Sequence, residues 1–234
     1  MHRSLLRVTL LVSLAALTVG FAALQRASAE TKPAKSAKAE APQPDKDGWY
    51  SLFNGKDFTG WKLNKNKDTF RVENGAIVAN GPPCHAFYVG PVNDADFKNF
   101  ELKADVMAKP NSNGGIYFHT KYQPEGWPAH GLECQVNNTH ADPRKTGSFY
   151  RANDVMDKSP VKDNEWFTMH VIVKDQHLVM KINDKVVNDH IEPANPPREK
   201  GWEKNVVSHG TFALQGHDPG SEVRFKNIKV KPLP

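Results

Sequence analysis

The sequence predicts an all-β domain, and three observations carry that prediction. Apolar residues alternate with polar ones at period two in one segment after another, Gly, Pro, Asn and Asp separate those segments, and no stretch carries an apolar stripe at the 3.6-residue helical period. Short strands punctuated in this way form a β-sandwich or barrel rather than a helical bundle or a parallel α/β sheet, because each strand has one apolar face to bury against a second layer.

Taken in order, residues 69–72 and 76–78 flank Glu73-Asn74-Gly75 and read as a hairpin, since Asn-Gly supplies the positive φ angles of a tight turn. Phe100, Leu102, Ala104 and Val106 alternate with Glu101, Lys103 and Asp105, a strand with one wet face. Further strands are expected at 115–120, 132–137, 148–152, 167–174, 177–183, 211–215 and 222–230, with a short Asp175-Gln176 turn joining two of them. No repeat and no second domain is visible.

The chain begins with a basic start (Arg3, Arg7), an uncharged apolar run over 8–24 and a small-residue Ala27-Ser28-Ala29 site, the pattern of a secretory signal peptide. The expected organisation is a signal peptide at 1–29, a disordered Lys/Ala/Pro tether at 30–47 and one β-sandwich domain at 48–234. Cleavage after Ala29 leaves no stable membrane anchor and predicts a periplasmic or secreted protein. Loss of Arg3, Arg7 and Arg26 lowers the formal charge from +5 to +2, and no basic cluster interleaved with aromatics remains, which argues against nucleic acid as a partner.

Alternation also sorts the residues that could carry chemistry. In Gly115-Ile116-Tyr117-Phe118-His119 it sends Ile116 and Phe118 to the core and Tyr117 and His119 to the other face. In Leu132-Glu133-Cys134-Gln135-Val136 it exposes Glu133 and Gln135, and in Phe212-Ala213-Leu214-Gln215 it exposes Gln215. Tyr117, His119, Glu133, Gln135 and Gln215 are therefore expected on one open sheet face. Planar hydrogen-bonding groups suit sugar hydroxyls and aromatic rings suit sugar C–H faces, so a carbohydrate is the expected partner. Adjacent loops add Trp127 as a stacking platform, Arg151 as a polar contact and His217 as a further acid or base.

Nucleotide-binding glycine motifs, a G-x-S-x-G elbow and C-x-x-C are absent, which disfavours hydride, phosphoryl and ordinary serine-ester chemistry. Histidines occur in no metal-ligand spacing; no cofactor is evident, and a divalent cation is left open. Cys84 and Cys134 are the only cysteines, and a disulfide between them is also left open, although Cys134 falls on the core side of its strand.

Several strings occur together and in order: Leu52-Phe53-Asn54-Gly55-Lys56-Asp57-Phe58-Thr59-Gly60-Trp61, Asn113-Gly114-Gly115-Ile116-Tyr117-Phe118, Gly131-Leu132-Glu133-Cys134-Gln135-Val136, and Leu214-Gln215-Gly216-His217 ahead of Val223-Arg224-Phe225-Lys226-Asn227-Ile228. Over residues 49–232 the chain resembles the 3-keto-disaccharide hydrolase family, also described as a 3-keto-glucoside 1,2-lyase and 3-keto-2-hydroxy-glucal hydratase domain. The resemblance implies a concanavalin-like jelly-roll β-sandwich of two antiparallel sheets and cleavage of 3-keto-glucosides by elimination and hydration. Such chemistry needs one base, a group to stabilise the enolate and an acid for the leaving oxygen. Residue roles follow from the alternation rather than from the family: Glu133 as base, its pKa raised by burial, and His119 or His217 as alternatives. Tyr117, Gln135, Gln215 and Arg151 would orient hydroxyls or stabilise the oxyanion. A non-catalytic carbohydrate-binding module and a structural domain of the cell envelope are the competing expectations on the same fold.

Overall fold

A computed structural model describes residues 41–234, and two antiparallel sheets account for nearly all of its regular structure. The expected signal peptide at 1–29 and residues 30–40 of the expected tether lie outside the described residues. Residues 41–47 do not behave as a free tether: Ala41 packs against the core, and the Asp45 carboxylate accepts the backbone N–H groups of Asp47 and Trp49 at 3.0 and 2.9 Å. Among the described residues, no helix is long and apolar enough to cross a membrane.

The strands are β1 (Tyr50–Ser51), β2 (Trp61–Leu63), β3 (Phe70–Glu73), β4 (Ala76–Ala79), β5 (Cys84–Tyr88), β6 (Phe100–Ala108), β7 (Asn113–Thr120), β8 (Leu132–Asn137), β9 (Phe167–Lys174), β10 (His177–Ile182), β11 (Lys185–Ile191), β12 (Thr211–Gly216) and β13 (Val223–Pro232). The larger sheet runs β11-β10-β9-β6-β13-β4-β3, with β1 also paired to β13; the smaller runs β2-β5-β12-β7-β8. Two antiparallel layers with crossovers between them make the expected jelly-roll sandwich. The β3–β4 turn forms as its sequence requires, with Asn74 and Gly75 at φ 51° and 75°.

Residues facing inward from both layers interdigitate as one core, among them Phe100, Leu102 and Val106 of β6 against Ile116, Leu132 and Phe212 of the smaller sheet. The two layers differ on their other sides. Along β6, buried and half-buried positions alternate, so the larger sheet turns a wet face outward. Every position of β5, β7, β8 and β12 is buried, so the smaller sheet is covered on both faces. The open face expected from the sequence is thus a covered one.

Three further local expectations change. Residues 148–152 form a turn with isolated bridges at Phe149 rather than a strand, because Arg151 takes φ 62°, outside the extended region. The sequence reading missed β5, whose alternation of Cys84 and Ala86 with His85 and Phe87 is masked by small core residues after Pro82-Pro83. Cys84 and Cys134 are free and buried on β5 and β8, with two strands between them. Three strand spacings amount to roughly 14 Å, against a bridging limit of about 7 Å, so the two do not pair.

Candidate active site

Cross-strand register brings the polar residues of the smaller sheet into two adjoining rows. Tyr117 pairs with Glu133 and with Ala213, and Ala213 pairs with Phe87; Gly115 pairs with Gln135, and Gln215 pairs with His85. All these side chains stand on the face away from the core, as period-two alternation dictates. Tyr117, Glu133, Gln135 and Gln215 are therefore brought together as the sequence predicted, and His85 joins them unpredicted from β5.

Glu133 is the only carboxylate in these two rows and is 7% exposed. The Tyr117 hydroxyl donates to its Oε2 at 2.8 Å, while Gln215 Nε2 donates to the Tyr117 oxygen at 3.2 Å. Glycine at position 115 makes this arrangement fit: a Cβ there would lie 2.8 Å from Glu133 Cγ and closer still to Oε1. Burial raises the Glu133 pKa to about 8, against the lowering effect of the Tyr117 and Gln215 hydrogen bonds. The same burial, reinforced by the nearby carboxylate, pushes the Tyr117 phenol well above its ordinary value, so Tyr117 serves as a proton-bearing donor.

Several buried atoms on this face have no hydrogen-bond partner: Glu133 Oε1, Gln135 Oε1, Gln215 Oε1 and both ring nitrogens of His85. A buried polar group left unbonded costs about 1–3 kcal/mol, and folded proteins leave few of them. Five of them on one patch of sheet make it the candidate site.

Loops close the face. The Trp127 ring meets His85 edge-on at 5.4 Å and lies tilted against His217 at 5.2 Å, while remaining 45% exposed on its outer side. Gln123 pins this loop by donating to the Trp127 carbonyl at 2.7 Å and accepting from the Ala129 N–H at 2.9 Å. His217, just beyond β12, approaches the Asp218 carboxylate through Nδ1 at 2.7 Å and the His140 ring at 5.8 Å. Burial pushes the Asp218 pKa up, but hydrogen bonds from Ser221, His217 and the Gly220 N–H outweigh it and leave it low.

Two expected members stand elsewhere. Thr211 pairs with Thr120 but Ala213 pairs with Tyr117, so Phe212 faces both Phe118 and His119 in a β-bulge, with His119 at φ 56°. The bulge breaks the alternation and turns the His119 ring toward Phe100 and Phe118. There Nε2 donates to the Lys98 carbonyl at 2.8 Å and Nδ1 accepts the Ser208 N–H at 3.1 Å. Both nitrogens are bonded and burial lowers its pKa to about 4, so His119 stands apart from the Glu133 group. Arg151 spends its contacts on Glu199 and on the Trp202 ring, 4.6 Å away, instead of on the Glu133 group.

An apolar cavity of about 500 Å³ at Leu52, Phe53, Tyr88 and Val89 has no carboxylate or imidazole in its lining. Among the described residues, no group of three or more His, Cys, Asp or Glu side chains is placed to hold a metal ion. The Glu133 face is therefore where buried acid–base groups and unbonded polar atoms coincide.

Comparison with known proteins gives the family and the fold. Residues 48–231 match the family model described as a 3-keto-alpha-glucoside-1,2-lyase-like domain. A 3-keto-disaccharide hydrolase of Bacteroides thetaiotaomicron is 23% identical over 252 aligned positions, covering 87% of this chain and 85% of its own. A crystal structure of a candidate glycosyl hydrolase from Parabacteroides distasonis superposes with a TM-score of 0.65 at 26% identity, covering 80% of this chain and 95% of that one. A galectin-like protein of unknown function from Bacillus subtilis, 11% identical and with a TM-score of 0.53 over 83% and 97% of the two chains, shares the fold.

Proposed function

The chain belongs to the family of 3-keto-alpha-glucoside-1,2-lyase-like domains, and from that premise we propose that it is an enzyme cleaving glucosides already oxidised at the 3-position, by elimination followed by hydration. The observation that carries this reading is Glu133, a carboxyl buried beside unbonded hydrogen-bonding atoms, with a pKa raised to about 8. A general base works best when its pKa lies near the operating pH.

A ketone at C3 acidifies the C2–H bond. With Oε2 held by Tyr117, Glu133 Oε1 is left to take the C2 proton. The electron pair of the broken bond passes through the enolate and expels the C1 substituent, whose oxygen receives the proton Glu133 carries. Water then adds to the unsaturated sugar, oxygen at C1 and hydrogen at C2, and the net result is hydrolysis. Gln135 and Gln215 present unbonded Oε1 atoms as acceptors for sugar hydroxyls, the outer side of Trp127 offers an apolar ring to the sugar, and His217, oriented by Asp218, stands at the mouth as a proton relay.

The test compares aglycone release from 3-keto-glucosides and from the matching unoxidised glucosides. Wild-type protein is expected to act on the oxidised series alone, and Glu133→Gln to lower turnover by about 10²–10⁴ while retaining binding. Equal action on both series would point to ordinary glycoside hydrolysis, and binding without turnover to a carbohydrate-binding module. Export through a signal peptide at residues 1–29 belongs to the same proposal; periplasmic or secreted material should begin at Glu30, and retention of the apolar segment in a membrane fraction would overturn it.

A further inference from the structure

His85 is as deeply buried as any polar residue of the Glu133 face, 1% exposed, yet neither of its ring nitrogens has a hydrogen-bond partner. Hydrogen bonds hold its backbone, to Asn64 and to β12, but its ring is held by packing alone. β-Sheet register sets it opposite Gln215, and its ring sits edge-on to Tyr117 at 5.6 Å and to Trp127 at 5.4 Å. A buried histidine kept only for structure would bond at least one nitrogen, as His119 bonds both.

The remaining unbonded atoms of the face differ from His85 in kind. Glu133 Oε1, Gln135 Oε1 and Gln215 Oε1 are oxygens that accept from sugar hydroxyls. A neutral imidazole, in contrast, has one N–H to donate. A carbonyl oxygen on the substrate has no hydrogen to give, so among these partnerless atoms only the His85 N–H complements it.

Resting on the proposed action on 3-keto sugars, we infer that His85 is the group that recognises the 3-keto oxygen and stabilises it as an enolate by a neutral hydrogen bond. When the Glu133 carboxylate removes the C2 proton, the C2–H electron pair becomes the C2=C3 bond and the carbonyl π pair moves onto O3. The His85 N–H meets that negative charge without transferring its proton. On collapse, the O3 pair restores the carbonyl, the C2=C3 pair shifts to C1=C2, and the leaving oxygen departs with the C1–O pair and takes the proton from Glu133. Burial and the nearby His217 lower the His85 pKa to about 3, so the ring is neutral across the working range, and the Trp127 ring packs edge-on against it.

The test uses the full-length protein with a 3-keto sugar lacking a C1 leaving group, carrying a ¹³C label at the carbonyl, and reads the carbonyl stretch of the bound molecule by infrared difference spectroscopy. Wild-type protein is expected to shift the stretch to lower frequency. His85→Phe should abolish the shift, and His85→Gln, which retains an N–H donor, should keep part of it. In parallel, kcat on a 3-keto-glucoside should fall about 10²–10³-fold in His85→Phe, the range for losing one oxyanion donor. An unchanged carbonyl shift in folded His85→Phe or, if that variant does not fold, an unchanged shift and undiminished kcat in His85→Leu, which also lacks an N–H donor, would overturn the assignment while leaving the proposed reaction standing. Failure of wild-type protein to turn over any 3-keto-glucoside would overturn the reaction and the assignment with it.

Discussion

The outer faces of the two sheets carry similar residues to opposite ends. On the larger sheet the polar groups answer one another: Asp105 accepts from Thr168 and Asn227 at 2.8 and 2.7 Å, and the buried His170 meets Glu101 at 2.8 Å. On the smaller sheet a carboxyl, two amides and an imidazole are equally close but leave Glu133 Oε1, Gln135 Oε1, Gln215 Oε1 and both His85 nitrogens unbonded. The first face is stabilised within itself. The second is held together by the surrounding core and keeps its hydrogen-bonding capacity for something else. Polar residue type does not separate a structural face from a site; the balance of bonded and unbonded buried atoms does. His119 sharpens the contrast, since it lies on the smaller sheet yet bonds both nitrogens.

The largest effect that would break this comparison is expected at Gly115. Its missing side chain provides the space that Glu133 occupies, so Gly115→Ala forces the carboxyl to move. A misplacement of about 1 Å can cost on the order of 10²-fold in rate. Turnover of a 3-keto-glucoside should fall by that order while circular dichroism stays that of a β-sandwich; unchanged turnover would mean that the position of Glu133 is not critical.

Next in size is pH. A carboxylate base acts only when ionised, so kcat/KM should rise about tenfold per pH unit up to an inflection near 8, the raised Glu133 value. Stability moves the other way. The folded pKa lies above the ordinary value of 4.5, so the Glu133 contribution is fully present below pH 4.5 and is lost as pH rises through 8. Glu133→Gln should therefore be more stable than wild type above pH 8, by up to several kcal/mol, in urea titrations at matched pH. A wild-type rate profile that is flat between pH 5 and 8 would remove Glu133 as the base.

The smallest effect on activity belongs to His119. Replacing it by Leu leaves the Ser208 N–H and the Lys98 carbonyl without their imidazole partner, which should cost about 1–3 kcal/mol of stability. Turnover at a temperature well below unfolding should change by no more than about twofold. A loss comparable with that of Glu133→Gln would return His119 to the chemistry.

Much of this was legible along the chain. Tyr117, Glu133, Gln135 and Gln215 could be assigned a common face because alternation is a local property of an extended backbone, independent of what the strand later pairs with. The same rule failed at His119, where one residue at positive φ inserts a bulge that no turn-forming residue announces. His85 lies beyond its reach, since Cys84 and Ala86 are weak signals of a buried strand.

The sequence by itself therefore determined the all-β class, through its family resemblance the sandwich, and the direction in which four of the site side chains point. Only the tertiary structure decided that β5 lies beside β12, that loops bearing Trp127 and His217 close over the face, and that Arg151 turns away to Glu199. Neighbouring strands and covering loops come from distant parts of the chain, and the sequence pattern of one strand says nothing about which strand will pair with it. Dehydration depends on that same assembly. A glutamate on an exposed strand would titrate near 4.5; the one at position 133 is moved to about 8 by everything that packs around it.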